Sequence, residues 1–202
     1  MIKFLKQKNR GRKSGGFTLV EVLVAIFIFS LAITALMAAL SGGISDTTFA
    51  KQKMTATYLA QEGIEYMRNM RDDYVLYPAT GLDWIGHSDD TDFVNQIIPC
   101  ETGNCGFDSS LSPADSDFMV SSSCSTTPSP LNLCEVYVDN NGNYNTNPNH
   151  LVGTNSGFLR IITADLHYNS ENEAKITSTV YWQYKNTKYN VSFSENLFNW
   201  TQ

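Results

Sequence analysis

A chain of 202 residues and 22.5 kDa has room for one domain, or one domain with an appendage, and 17% charged against 42% hydrophobic residues excludes a charge-rich disordered chain. The net charge of −6 hides a split: Lys3, Lys6, Lys8, Arg10, Arg12 and Lys13 stand together in the first 16 residues with no acid, leaving eight basic against 20 acidic residues in the rest. So acidic a body does not bind nucleic acid by neutralising its backbone, and no direct nucleic-acid contact is expected.

The basic leader, 1–16, ends in Ser14-Gly15-Gly16. From Phe17 to Leu40 runs an apolar stretch of 24 residues with one charge, Glu21. About 20 apolar residues cross a bilayer core as a helix. A secretory signal fits poorly, because its apolar core has roughly 7–15 residues and its small residues follow the core instead of preceding it. An ordinary anchor would keep the basic flank cytoplasmic and the acidic body outside. Glu21 argues for more than an anchor, since a carboxylate inside a membrane helix costs about 2.5–3.5 kcal/mol and marks function. The span holds no Lys, Arg or His to pair with it. Its partner is another chain, a proton, or a charge made by processing. Cutting between Gly16 and Phe17 would create that charge, an α-amino group four residues before Glu21.

Lys13-Ser14-Gly15-Gly16-Phe17-Thr18-Leu19-Val20-Glu21, followed by the unbroken apolar run, resembles the type IV prepilin family, which includes type IV pilins and the pseudopilins of type II secretion and competence. The resemblance implies a structural subunit and not an enzyme, with no cofactor. A membrane prepilin peptidase would cut after Gly16 and N-methylate Phe17. Glycine suits the cut because a residue without Cβ lets the backbone enter a narrow site. Glu21 would neutralise the α-amino group of a neighbouring subunit's Phe17 and so set the register of assembly. The implied partners are the peptidase, other pilin or pseudopilin subunits, the inner-membrane assembly platform and, before assembly, membrane lipid. The implied location is the bacterial inner membrane, single-pass with the C-terminal part outside, and then a surface or periplasmic filament. A minor pilin is the preferred reading. A secretion or competence pseudopilin is the alternative within the family, and a membrane-anchored adhesion domain that never polymerises is the alternative outside it.

Residues 17–41 then form the membrane or filament-core helix and 42–74 its amphipathic continuation. Gly42-Gly43 is expected to be a soft point, the other reading being a helix end at the membrane surface. Ala56, Ala60, Ile64, Met67 and Tyr74 recur on one helical face, which is expected to lie under a sheet. Pro78 and Gly81 stop the helix, near Asp73.

Residues 75–156 read as a variable, loop-rich region with short strands and many turn formers. Asp83, Asp89, Asp90 and Asp92 read as a solvated acidic loop. Cys100, Cys105, Cys124 and Cys134 form an even, extracytoplasmic set and read as two disulfides. Three pairings are open, and Cys100–Cys105 with Cys124–Cys134 is preferred because each closes a local loop. In Asp139-Asn140-Asn141-Gly142-Asn143-Tyr144-Asn145 oxygen side chains recur at Asp139, Asn141, Asn143 and Asn145, as in a calcium loop. The EF-hand spacing fails, and Asn141-Gly142 between Val136–Val138 and Tyr144 is a hairpin signal, so a turn is preferred to a metal site.

Residues 157–202 read as an antiparallel sheet: strands at 158–168, 175–184 and 189–194, a turn over Lys185–Lys188, and an apolar end, Leu197–Trp200, that docks. Val180, Trp182 and Tyr184 share one face, and so do Tyr189, Val191 and Phe193. His87, His150 and His167 stand apart from any nucleophile, and no catalytic constellation is evident. The expected fold is α+β, a long spine helix against a C-terminal antiparallel sheet.

Overall fold

The computed structural model describes residues 15–76, 84, 92–108, the backbone of 119–120, 124–126, 134–146, 153–166 and 172–199. Residues 1–14 of the leader, Asp83, Asp89, Asp90, the three histidines and Trp200 lie outside them. Contacts divide the chain into two units, Met1–Thr47 and Thr48–Gln202, and each is described by itself.

Helix α1 is Leu19–Leu76 and belongs to both units. No proline interrupts its sequence, and Pro78 follows its end, which falls three residues beyond the expected stop. It continues through Gly42 and Gly43 without a break, so the helix does not end there. Thr47 Oγ1 donates 2.8 Å to the Gly43 carbonyl, adding a side-chain bond at the glycine pair. Ser30 and Thr34 likewise return their hydroxyls to the Ile26, Ser30 and Leu31 carbonyls, so both are satisfied within the helix itself.

In the second unit α1 buries Ala56, Leu59, Ala60, Gly63, Ile64, Met67, Met70, Arg71, Tyr74 and Val75. The face expected from sequence spacing is within that set. Short helices α2 (Phe93–Ile97) and α3 (Pro99–Thr102) lead to strands β1 (Gly106–Phe107) and β2 (Met119–Val120), which pair antiparallel. The main sheet holds β3 (Glu135–Val138), β4 (Tyr144–Asn145), β5 (Thr154–Asp165), β6 (Glu173–Tyr184) and β7 (Thr187–Phe198), antiparallel in the order β4-β3-β5-β6-β7. The fold is therefore α+β, as expected, and the sheet also takes in two strands from the loop-rich region.

Pairing with neighbours moves the strand limits. β5 starts at Thr154, earlier than the apolar pattern suggests, because Asn155 and Thr154 pair with Tyr137 and Val138 across a bulge. The bulge contains Gly157 at φ +79, a left-handed conformation that glycine adopts without strain. Leu197 and Phe198 do not form a separate docking end. They extend β7 opposite Ala174 and Glu173, with Leu197 in the core. The β6–β7 turn is tighter than expected, with Tyr184 opposite Thr187 and only Lys185 and Asn186 between them. Lys185 sits at φ 54, where a side chain costs about 1–2 kcal/mol relative to glycine.

Val180, Trp182 and Phe158 pack on Ala56, Leu59 and Ala60, while Ile162, Ile176 and Leu197 pack on Ile64, Met67 and Met70 with Trp84 and Phe93. Tyr184, Tyr189, Val191 and Phe193 border the same face, as their two-residue alternation requires. Helix and sheet come close at Gly63, where a Cβ would overlap Ser178 Oγ.

Candidate functional site

Gly15, Gly16, Phe17 and Thr18 precede the helix in non-helical conformation. Thr18 caps it: Oγ1 accepts from the Glu21 amide at 3.3 Å, and its carbonyl accepts from the Val22 amide at 3.2 Å. Thr-x-x-Glu is the capping-box spacing, so the sequence held this signal. Reading Glu21 only for its charge passes over it. The cap sets where the helix begins, and that leaves the Gly16–Phe17 peptide two residues outside it. Phe17 is 80% exposed. A Cβ at Gly15 or Gly16 would meet nothing within 4 Å, so no contact among the described residues requires glycine there.

Glu21 occupies the third helical position, is exposed, and enters no ion pair among the described residues. The positive end of the helix dipole favours a carboxylate in the first turn. Around and beyond it, all the large apolar side chains from Phe17 to Leu40 are exposed, between 41% at Ile33 and 80% at Phe17. Among the described residues one helix is long and apolar enough to cross a membrane, and it is this one. So continuous an apolar surface marks an interface with lipid or with other chains.

The cysteines lie on the second unit, within disulfide distance in two local pairs. Cys100 and Cys105 have Cα atoms 5.2 Å apart, Cys124 and Cys134 5.3 Å. Both pairs border β5: Cys105 exchanges two backbone hydrogen bonds with Ile162, and the Cys134 carbonyl accepts from Arg160. The cystines therefore sit where the strand alongside β5 changes from β3 to the β1 segment.

Asp139 closes the β3–β4 turn. Its Oδ1 accepts from the Asn141 and Asn143 amides, each at 2.8 Å, and Oδ2 accepts from Asn143 Nδ2 at 3.0 Å. Bonds from the Asn143 backbone, then from its side chain, hold the Asp139 pKa below the usual carboxylate value. Both carboxylate oxygens thus face N–H donors, which a cation would have to displace. Asn145 pairs with Tyr137 within the ladder. Among the described residues no three His, Cys, Asp or Glu side chains are grouped to hold a metal.

Arg160 is a residue that sequence reading passed over. It is 1% exposed on β5, with Nη1 2.7 Å from Glu62 on α1 and its guanidinium 3.9 Å from the centre of the Phe107 ring. Burial pulls its pKa down, and the Glu62 carboxylate pulls it up. In sequence it stands inside an apolar strand 98 positions from Glu62, so no local pattern marks the pair.

Residues 11–37 match the family model described as the prokaryotic N-terminal methylation motif, the signature of type IV prepilins and pseudopilins. No curated protein and no solved structure matches the chain.

Proposed function

We propose that this chain, a type IV pilin-like precursor by its N-terminal signature, is a minor pilin: a structural subunit of a filament, stored in the membrane by α1 before assembly. The observation that carries the reading is the juxtaposition at Gly16–Phe17. The Gly16–Phe17 bond lies just outside a capped helix, a carboxylate follows four residues later, and an apolar surface exposed among the described residues comes after that.

Hydrolysis of the Gly16–Phe17 bond by a prepilin peptidase adds water across the amide and frees the α-amine of Phe17, which then takes a methyl group from a sulfonium methyl donor, releasing the thioether and a proton. The new cation and Glu21 are each costly in a low-dielectric bundle of helices, and pairing them between subunits lowers that cost. A subunit out of register leaves one of them unmatched. Assembly then buries the apolar surface of Phe17–Leu40 against neighbouring subunits, while the acidic, cystine-bearing second unit supplies the surface. This assigns the chain a mechanical role, with inner-membrane insertion, the assembly platform and fellow subunits as its partners. A secretion or competence pseudopilin would use the same N-terminal device and differ in those partners.

Mass spectrometry of the mature chain tests the reading. The expected N-terminus is N-methyl-Phe17, and an intact Met1 in the membrane fraction refutes it. Gly16→Ala slows cleavage, and a large or charged residue at 16 stops it. Glu21→Val leaves insertion and cleavage in place and impairs assembly or methylation. Wild-type filament yield from Glu21→Val would remove the pairing.

A further inference from the structure

The two edges of the main sheet differ. One side ends in β4, which is two residues long, and β3 beside it carries a register shift against β5. The other side ends in β7, which pairs with β6 over the whole of Thr187–Phe198 without a shift. In antiparallel pairing, alternate residues turn both N–H and C=O to opposite sides of a strand. The alternation is fixed on β5, where Arg160 turns its amide to Cys134, and Ile162 turns both groups to Cys105, away from β6. Carried across the β5–β6 and β6–β7 registers, it makes the odd residues of β7 hold β6. The even ones, Lys188, Asn190, Ser192, Ser194 and Asn196, then turn N–H and C=O out of the sheet.

All five residues are exposed. Among the described residues no other group bonds to their outward main chain, whereas the Phe198 carbonyl at the end of the strand accepts from Arg71 Nη1 at 3.0 Å. Charge, proline and bulges are the usual guards of an edge. The stretch Tyr189–Ser194 has no charge, proline or glycine, and its register has no bulge. Such an edge is a template for one more strand.

The second unit's share of α1 flanks this edge. Tyr58, Glu62, Glu65 and Arg68 line an open groove together with Phe193 and Glu195 of β7. Arg68 holds both Glu65 and Glu195, and Arg160 neutralises Glu62 from inside, so the groove keeps one negative charge in excess. Tyr58, 65% exposed, and the partly buried Phe193 give it apolar surface. Side chains of a strand alternate between its faces, so a strand added to β7 lays every second side chain over the groove. Apolar ones suit Tyr58 and Phe193, and a basic one suits Glu65 and Glu195.

We infer that the β7 edge and the groove beside it bind an extended segment of another polypeptide as an added strand, one whose groove-facing side chains are apolar with a basic residue among them. Main-chain hydrogen bonds to the five outward residues supply the affinity, and the groove selects the side chains. The site lies wholly within the second unit. It depends neither on how the chain is anchored nor on the minor-pilin reading.

Amide hydrogen exchange of the full chain in detergent micelles, read residue by residue by NMR, tests this. The probe is the capped peptide Thr-Val-Thr-Lys-Thr-Val-Thr, whose valines and lysine share one side of a strand. In the free chain the amides of Lys188, Asn190, Ser192, Ser194 and Asn196 exchange fast, while those of Tyr189, Val191, Phe193 and Glu195 are protected by β6. Peptide at about ten times its Kd slows the even set about tenfold and leaves the odd set unchanged. Ser192→Pro removes an outward N–H and no bond to β6, so it abolishes the slowing and leaves the sheet folded. Replacing the peptide's lysine by glutamate weakens binding. Even amides already protected in the free chain, no slowing at about 1 mM peptide, or slowing of odd and even amides alike overturns the added strand. Equal binding of the glutamate peptide overturns the stated partner chemistry. If Ser192→Pro does not fold, the odd–even pattern of the wild-type chain decides.

Discussion

Helix α1 meets two opposite environments along one backbone. Between Phe17 and Leu40 none of its large apolar side chains is buried, whereas from Ala56 to Val75 it hides ten residues under the sheet and its flanking segments. Glycines report the same contrast. A Cβ at Gly42 or Gly43 would meet open space, but one at Gly63 would strike Ser178. Charges do as well: Glu21 has no ion-pair partner among the described residues, while Glu62 holds buried Arg160. The second stretch is completed by its own chain. The first keeps its large apolar side chains exposed among the described residues.

The largest effect expected from breaking this contrast is at Glu62. Glu62→Ala leaves Arg160 buried and unpaired, at a cost toward the lower end of about 3–5 kcal/mol because Glu62 is itself 40% exposed. Denaturant unfolding of the second unit measures it. Arg160→Met, which removes the charge and keeps the volume, costs far less. If the two variants are equally destabilised, the loss is one of packing and the ion pair is not the cause.

Gly63→Ala comes next, with a loss of about 1–3 kcal/mol as α1 is forced off β6. The matching change at the open site, Gly42→Ala, leaves melting of the second unit unchanged and raises local helix stability by up to about 1 kcal/mol. Circular dichroism melts of the two variants, side by side, read the asymmetry directly. Equal responses would mean that Gly63 is no closer to the sheet than Gly42 is to any neighbour.

The smallest effect is at the β3–β4 turn. Asp139 has its folded pKa lowered, first by the Asn143 amide, so its contribution is present above its unfolded pKa and is lost as pH falls through the lowered folded value. Amide signals of Asn141 and Asn143 followed by NMR on acidification should shift together within that acid range, with the rest of the sheet unmoved. Calcium added at neutral pH should leave the melting temperature unchanged, since N–H donors occupy the carboxylate.

Much of this was legible in the residues. A 3.6-residue spacing gave the buried face of α1, alternation gave the shared face of β6 and β7, and Pro78 located the helix end to within three residues. Other features escaped because they need a partner distant in sequence. β5 begins at Thr154 because β3 lies beside it, and β7 reaches Phe198 because Glu173 is there to pair. Thr18 escaped for another reason: its role as helix cap was written locally and overshadowed by the charge of Glu21.

By itself the sequence determined the N-terminal signature, because a methylation motif, a cap, an isolated acid and a long apolar run act through neighbours along the chain. Only tertiary structure decided the pairings inside the second unit: the Glu62–Arg160 pair and the Gly63–Ser178 approach. Those depend on which surfaces meet, and in an antiparallel sheet laid on a helix that follows from register and close packing, which no local pattern encodes.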